Sequence, residues 1–130
     1  MQIKDSVALI TGANRGIGLA FAQELLARGA RKVYAAARDP ATITLPGVQA
    51  LRLDVNQPDE VAAAAALASD VTLVINNAGI AQPGGFLMAD SEDITRGIFE
   101  TNFFGMLRIS KAFAPGLKRQ GGGAFLTVLS

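Results

Sequence analysis

Residues 6–28, SVALITGANRGIGLAFAQELLAR, carry the reading on which the fold depends. Val7–Ile10 is a short apolar, partly β-branched run, which reads as a buried strand. Thr11-Gly12 breaks it, and apolar residues then return at helical spacing: Ile17, Phe21 and Leu25, with Ala20 and Leu26 beside them. Gly12, Gly16 and Gly18 stand between strand and helix in the spacing T-G-x-x-x-G-x-G. A helix start leaves backbone N–H groups unpaired and carries a partial positive charge, so it attracts an anion. Glycines there let the chain turn tightly, let a pyrophosphate approach the backbone, and let the helix pack against the strand. The turn reads as a phosphate site; a strand-to-helix turn without a ligand is the alternative this stretch alone leaves open.

Working outward, 130 residues with 50% apolar content suit one domain with a real core. Twelve basic and 11 acidic side chains leave a net charge of +1, which gives no electrostatic case for nucleic acid or an anionic membrane. The longest apolar stretches fall well short of the ~20 residues that span a bilayer. Met1–Asp5 does not resemble a signal peptide, so a soluble, cytoplasmic protein is expected. There is no cysteine, which excludes disulfides, thiol nucleophiles and thiolate metal sites. There is no histidine either, which removes a Ser-His-Asp mechanism and the usual zinc ligands. Chemistry is left to hydroxyls, carboxylates, amides, Lys, Arg or a cofactor, and no metal site is expected.

In chain order, strand one is Ser6–Thr11, helix one is Gly16–Ala27, and Gly29 reads as its C-terminal cap. Lys32–Ala37 reads as strand two and closes a β-α-β unit; Pro40 ends it, and residues 41–47 form a connection with at most one helical turn. Val48–Val55 alternates into strand three, and Pro58–Ala68 is a helix with proline, Asp59 and Glu60 in its first turn. Asp70–Asn76 is strand four, residues 77–90 are loop, and Glu92 to Arg119 is one long helical stretch. Gly121–Gly123 end that helix, and Ala124–Leu129 is strand five. Strands alternating with helices predict an α/β, doubly wound parallel sheet with helices on both faces. Right-handed crossovers give the order 3-2-1-4-5.

Several motifs then agree in order and spacing, and the chain resembles the N-terminal part of a short-chain dehydrogenase/reductase. They are Thr11-Gly12-Ala13-Asn14-Arg15-Gly16-Ile17-Gly18, Asp54-Val55, Asn76-Asn77-Ala78-Gly79, Asn102 in the long helix, and the final Thr127-Val128-Leu129-Ser130. The resemblance implies a Rossmann-like dinucleotide-binding domain over residues 1–130, without the family's C-terminal catalytic and substrate part. It implies that the turn (Gly12, Asn14, Arg15, Gly16, Ile17, Gly18) cradles a cofactor pyrophosphate. Asp54 would bond the adenine amino group, with the Val55 backbone beside it. Asn76, Ala78 and Gly79 would line the cofactor ribose, while Asn77 braces the sheet. From spacing alone, Ile10 and Ile17 read as core, and Asp54 reads equally well as a cap on the next turn.

Cofactor choice has a physical argument of its own. About 20 residues past the last glycine, where an acid would grip a ribose 2′-hydroxyl, stands Arg38, preceded by the neutral Ala37. With Arg15 in the turn, two guanidiniums suit a 2′-phosphate dianion, so NADP(H) is expected over NAD(H). Asp39 is the complication, since it could neutralise Arg38 instead.

The resemblance further implies hydride transfer between nicotinamide and a carbonyl or alcohol carbon. A tyrosine would act as acid/base, a lysine four residues later would lower its pKa, a serine would hold the substrate oxygen, and an asparagine would support a proton relay. Asn102 matches the asparagine and Ser130 the serine. The Tyr-x-x-x-Lys pair is not in these residues: the sole tyrosine, Tyr34, is followed by Arg38 and reads as packing. The chain as given is therefore expected to bind cofactor without turnover. Strand five should be a bare apolar edge, and Phe99, Phe103, Phe104 and Phe113 should stay partly exposed, so a homo-oligomer is expected. A stand-alone nucleotide-binding module and an α/β scaffold with idle motifs are the other two readings.

Overall fold

A computed structural model describes residues 1–85 and 87–129; the expected catalytic Ser130 lies outside the described residues. Five strands form one parallel sheet: β1 (Val7–Thr11), β2 (Lys32–Ala37), β3 (Gln49–Arg52), β4 (Leu73–Asn76) and β5 (Ala124–Thr127). Their order is β3-β2-β1-β4-β5, as the sequence predicts. In the centre, Leu9 of β1 lies between Tyr34 of β2 and Val74 of β4. The central strands are buried on both faces, which is why they read as continuous apolar runs.

Period-two alternation divides the core in two. Val7, Leu9, Ala36 and Val74 face α2 (Pro58–Leu67) and a C-terminal helix, meeting Val61, Ala64, Ile109, Phe113 and Leu117. Ala8, Ile10, Val33, Ala35 and Ile75 point the other way, onto Ala22 and Leu25 of α1 (Gly16–Ala27). Helix α1 ends in a glycine-terminated hydrogen-bond pattern, with Gly29 N–H donating to the Leu26 carbonyl and Ala30 N–H to Leu25.

Three expectations need correction. Ile17 is not core: it is 61% exposed, and the buried stripe of α1 is Gly18, Ala22 and Leu25. The helix meets the sheet through its glycine, and so its inward face is rotated away from the larger Ile17. Strand three is only Gln49–Arg52, since Leu53 and Val55, though buried, lie past the end of its ladder with β2. The long helix is not uniform: α3 (Ser91–Phe99) passes through a π turn over Glu100–Gly105 into α4 (Met106–Arg119), with helical backbone angles at both junctions.

Among the described residues β5 is an edge strand, and its Phe125 and Leu126 are each over two-fifths exposed. Phe99, Phe103 and Phe104 are exposed as well, whereas Phe113 turns inward and is buried against the sheet. Among the described residues, no helix is long and apolar enough to cross a membrane.

Candidate functional site

Parallel strands all end on the same side of the sheet, and the two that diverge in chain direction of travel, β1 and β4, leave a crevice there. A cleft of about 490 Å³ occupies it, walled by the β1–α1 turn, the end of β2, the exit of β3 and the segment after β4.

Its floor is held by Thr11 and Asn77. The Thr11 hydroxyl accepts from the Asn77 and Ala78 N–H groups at 3.0 and 2.9 Å. The Asn77 side-chain amide donates to the Thr11 and Gly12 carbonyls at 3.2 and 3.1 Å. These bonds lock the glycine turn to the segment after β4, while the Ala13 N–H ties the same turn to β2 by donating to the Ala36 carbonyl at 2.9 Å. Gly12 and Gly16 have φ of +65° and +57°, angles that side-chain-bearing residues adopt at a cost. A Cβ on Gly12 would press on the Ala78 backbone at 3.2 Å, whereas one on Gly16 would meet no atom within 4 Å. Gly16 thus opens onto clear space at the front of α1. No side chain caps that helix start, and its first turn holds no acidic residue. The helix start therefore keeps its partial positive charge without a side-chain partner, an arrangement that suits an anion.

The cationic end is formed by Arg15 and Arg38, which line the cleft with Asp39 and Thr42. The Asp39 carboxylate accepts from Ala41 N–H at 3.0 Å and caps the 3-10 turn Pro40–Thr42. Among the described residues neither Arg15 nor Arg38 takes part in an ion pair. Arg52 of β3 donates to the Arg38 carbonyl at 3.0 Å and steadies that strand end.

On the next wall, Asp54 and Val55 line the cleft beside Leu53 and Asn56. The Asp54 carboxylate accepts from Asn56 N–H at 2.9 Å, so it caps a turn and faces the cleft at once. Ala78 and Gly79 line the far wall with Ile80. Asn102, in the π turn, reaches the same segment: its Nδ2 donates to the Ile80 carbonyl at 2.9 Å and its Oδ1 accepts from Ile80 N–H at 2.7 Å. π turns are frequent at functional sites because the extra residue re-aims a side chain.

The cleft brings together Gly12, Asn14, Arg15, Gly16, Ile17, Arg38, Asp54, Val55, Ala78 and Gly79. Gly18 lies behind the turn, packed on Gly12 and Asn77. Asn76 does not join them: it is the last residue of β4, and alternation turns its side chain toward α4, where Nδ2 donates to the Ser110 hydroxyl at 3.2 Å. Sequence reasoning missed Thr42, Asn56 and Thr101 in the lining. Asn56 and Thr101 each neighbour a residue that was singled out, and that adjacency was the available signal.

Fold and cleft together define a Rossmann-like doubly wound architecture with a crevice at the carboxyl ends of its strands. The family model described as short chain dehydrogenase matches residues 6–130, and the chain belongs to that family. The 3-oxoacyl-[acyl-carrier-protein] reductase FabG of Salmonella typhimurium is 31% identical, the match covering 98% of this chain and 56% of the reductase. D-erythrulose reductase of Gallus gallus is 37% identical over 95% of this chain and 52% of its own length. The chain thus spans about half the length of the curated relatives it matches. Among solved structures, a short-chain dehydrogenase from Burkholderia cenocepacia in complex with NADP superposes with a TM-score of 0.93 at 43% identity, covering 100% of this chain and 55% of that one. A 7α-hydroxysteroid dehydrogenase complexed with NADH gives 0.85 at 31% identity, over 99% of this chain and 55% of its own.

Proposed function

We propose that this chain is the NADP(H)-binding part of a short-chain reductase that acts on a carbonyl or alcohol substrate, in the cytoplasm. The observation that carries the reading is that Arg15 and Arg38 both line the cleft and, among the described residues, neither takes part in an ion pair, while the Asp39 carboxylate beside them accepts from Ala41 N–H. Among the described residues Arg38 forms no ion pair with Asp39 and is available to an incoming dianion, and the charge-assisted bonds of two guanidiniums favour a 2′-phosphate over a 2′-hydroxyl. The NADP held by the Burkholderia neighbour supports the same choice.

In this reading each residue has a task. The amides at the front of α1 bind the pyrophosphate, and Asp54 with the Val55 backbone meets the adenine. Ala78 and Gly79 flank the ribose. The bound cofactor supplies or accepts hydride. Asn102 holds the Ile80 segment at the nicotinamide end and supports proton movement there, and Ser130 holds the substrate oxygen. The Tyr-x-x-x-Lys pair of the family is not in these 130 residues, so the chain by itself binds cofactor and does not turn over.

Fluorescence titration with NADPH and NADH tests the reading. Saturable NADPH binding at least tenfold tighter than NADH, with no carbonyl reduction by the 130-residue chain, is expected. Equal or tighter NADH binding contradicts the cofactor choice, and no binding of either supports a scaffold with idle motifs.

A further inference from the structure

We propose that Arg108 is a positioning residue that ties the adenine wall of the cleft to the π turn carrying Asn102, so that the two ends of the cleft move together. The proposal rests on the nucleotide-binding reading above. Arg108 stands on α4, outside the cleft lining. Its Nη1 donates to the Val55 carbonyl at 3.4 Å and to Asn56 Oδ1 at 3.3 Å, while Nη2 donates to the Glu100 carboxylate in the π turn. Asn56 completes the bridge by donating from Nδ2 to the Thr101 hydroxyl at 2.8 Å.

Both ends of this network touch the site. Asn56 N–H sets the Asp54 carboxylate on the adenine side. Thr101 precedes Asn102, whose amide holds Ile80 through both its oxygen and its nitrogen. Gly105, at the end of the π turn, allows the contact: a Cβ there would stand 2.6 Å from Val55 Cγ2. A π turn interrupts the regular i→i−4 ladder, and contacts from outside the helix can fix where it sits. Here those contacts come from the exit of β3.

The physical character of the pair argues for geometry over stability. The Arg108 and Glu100 side chains are 30% and 49% exposed, and such ion pairs contribute little to folding. A guanidinium, however, presents several donors in a rigid plane and can hold three acceptors on two elements at once. A lysine ammonium lacks that fork.

The test uses the chain in two arms, with Arg108→Met and Arg108→Lys. In the ligand-free arm, amide hydrogen exchange is read at Ile80 and, as an internal control, at Leu9 and Ile10 of β1. Both variants should exchange Ile80 N–H at least tenfold faster and leave the β1 amides unchanged. Unchanged Ile80 exchange, or equal acceleration of the β1 amides, overturns the proposal, as does full rescue by lysine. In the ligand arm, adenosine 2′,5′-bisphosphate, which occupies only the adenine end, should shift the Asn102 side-chain amide resonances in the wild type and not in Arg108→Met. Retention of that shift in the variant overturns the proposal. If the bisphosphate does not bind the wild type, the nucleotide-binding reading fails, and the exchange arm decides on Arg108 by itself.

Discussion

Gly18 of α1 faces the Asn77 side chain so closely that a Cβ at residue 18 would stand 2.6 Å from Asn77 Nδ2, and it would be nearer still to the Gly12 carbonyl. The third glycine of the turn is therefore a packing residue, and the other two shape the cleft. Asn77 is fixed by its bonds to the Thr11 and Gly12 carbonyls and cannot retreat without breaking them. Gly18→Ala should then destabilise the chain by about 3 kcal/mol, at the upper end of overpacking costs. Urea unfolding reads this as a lower midpoint at unchanged slope; a midpoint equal to wild type would show that α1 can move aside.

Gly16 predicts the opposite balance. A side chain there meets no neighbour within 4 Å but must adopt a φ near +57° at the front of the anion site. Gly16→Val should cost stability only about 2 kcal/mol, the order of a left-handed residue, while weakening NADPH binding at least tenfold. Parallel unfolding and titration experiments separate the two effects. Unchanged affinity would remove the turn from the binding site.

At the opposite end of the sheet, Tyr34 is more than packing. Its hydroxyl donates to Asp70 Oδ1 at 2.8 Å, and Lys32 Nζ sits 2.6 Å from Asp70 Oδ2 and 3.2 Å from the tyrosine oxygen. The bond to Asp70 and then that to Tyr34 raise the Lys32 pKa. Burial and the Asp70 bond raise that of Tyr34. For Asp70, burial works upward, but the bonds from Lys32 and Tyr34 outweigh it and hold the carboxyl below its ordinary range.

The signs follow from linkage. A depressed carboxyl stabilises the fold above its unfolded pKa and loses that contribution as pH falls through the lower folded value. Raised Lys32 and Tyr34 stabilise below their unfolded values and lose the contribution as pH rises through the folded ones. The stability difference between wild type and Asp70→Asn should therefore be flat from about pH 5 to about pH 9 and shrink below about pH 4 and above about pH 10. Urea midpoints across that range check it; a difference independent of pH would show that the three groups are not coupled.

The apolar surface carries a prediction about assembly. Phe99, Phe103, Phe104 and Leu107 are each at least 40% exposed along the long helix, and Phe103 and Phe104 pack edge to face at 5.3 Å. Together with Phe125 and Leu126 on the β5 edge they are six large apolar side chains left exposed, a surface that favours association. Sedimentation at micromolar concentration should show a dimer or larger species, and Phe103→Glu should shift it toward monomer. A clean wild-type monomer would contradict this.

Much of the architecture was legible because its signals are local. Apolar runs bounded by turns marked the five strands, and the glycine turn between Ile10 and Leu19 fixed where the first crossover begins. What escaped notice depends on the third dimension. The inward phase of α1 is set by the close approach of Gly18 to Asn77, which spacing alone assigns to Ile17. The π turn at Glu100–Gly105 has no composition signature, since the apolar spacing of the long helix runs on through it. The direction of Asn76 follows from where β4 stops, one residue before the chain turns under the cleft. The Lys32–Tyr34–Asp70 cluster joins residues 36 and 38 apart in sequence, a contact that no periodicity reveals.

The central claim is that the amides opening α1 receive a pyrophosphate while Arg15 and Arg38 receive a 2′-phosphate. An amide ¹H–¹⁵N spectrum recorded with and without NADPH tests it most directly. The account predicts the largest shifts at residues 12–18, at Arg38 and at residues 77–79, with NADH moving the first and last groups and leaving Arg38 nearly still. Saturable binding whose shifts fall elsewhere, or an Arg38 response identical for the two cofactors, would contradict it.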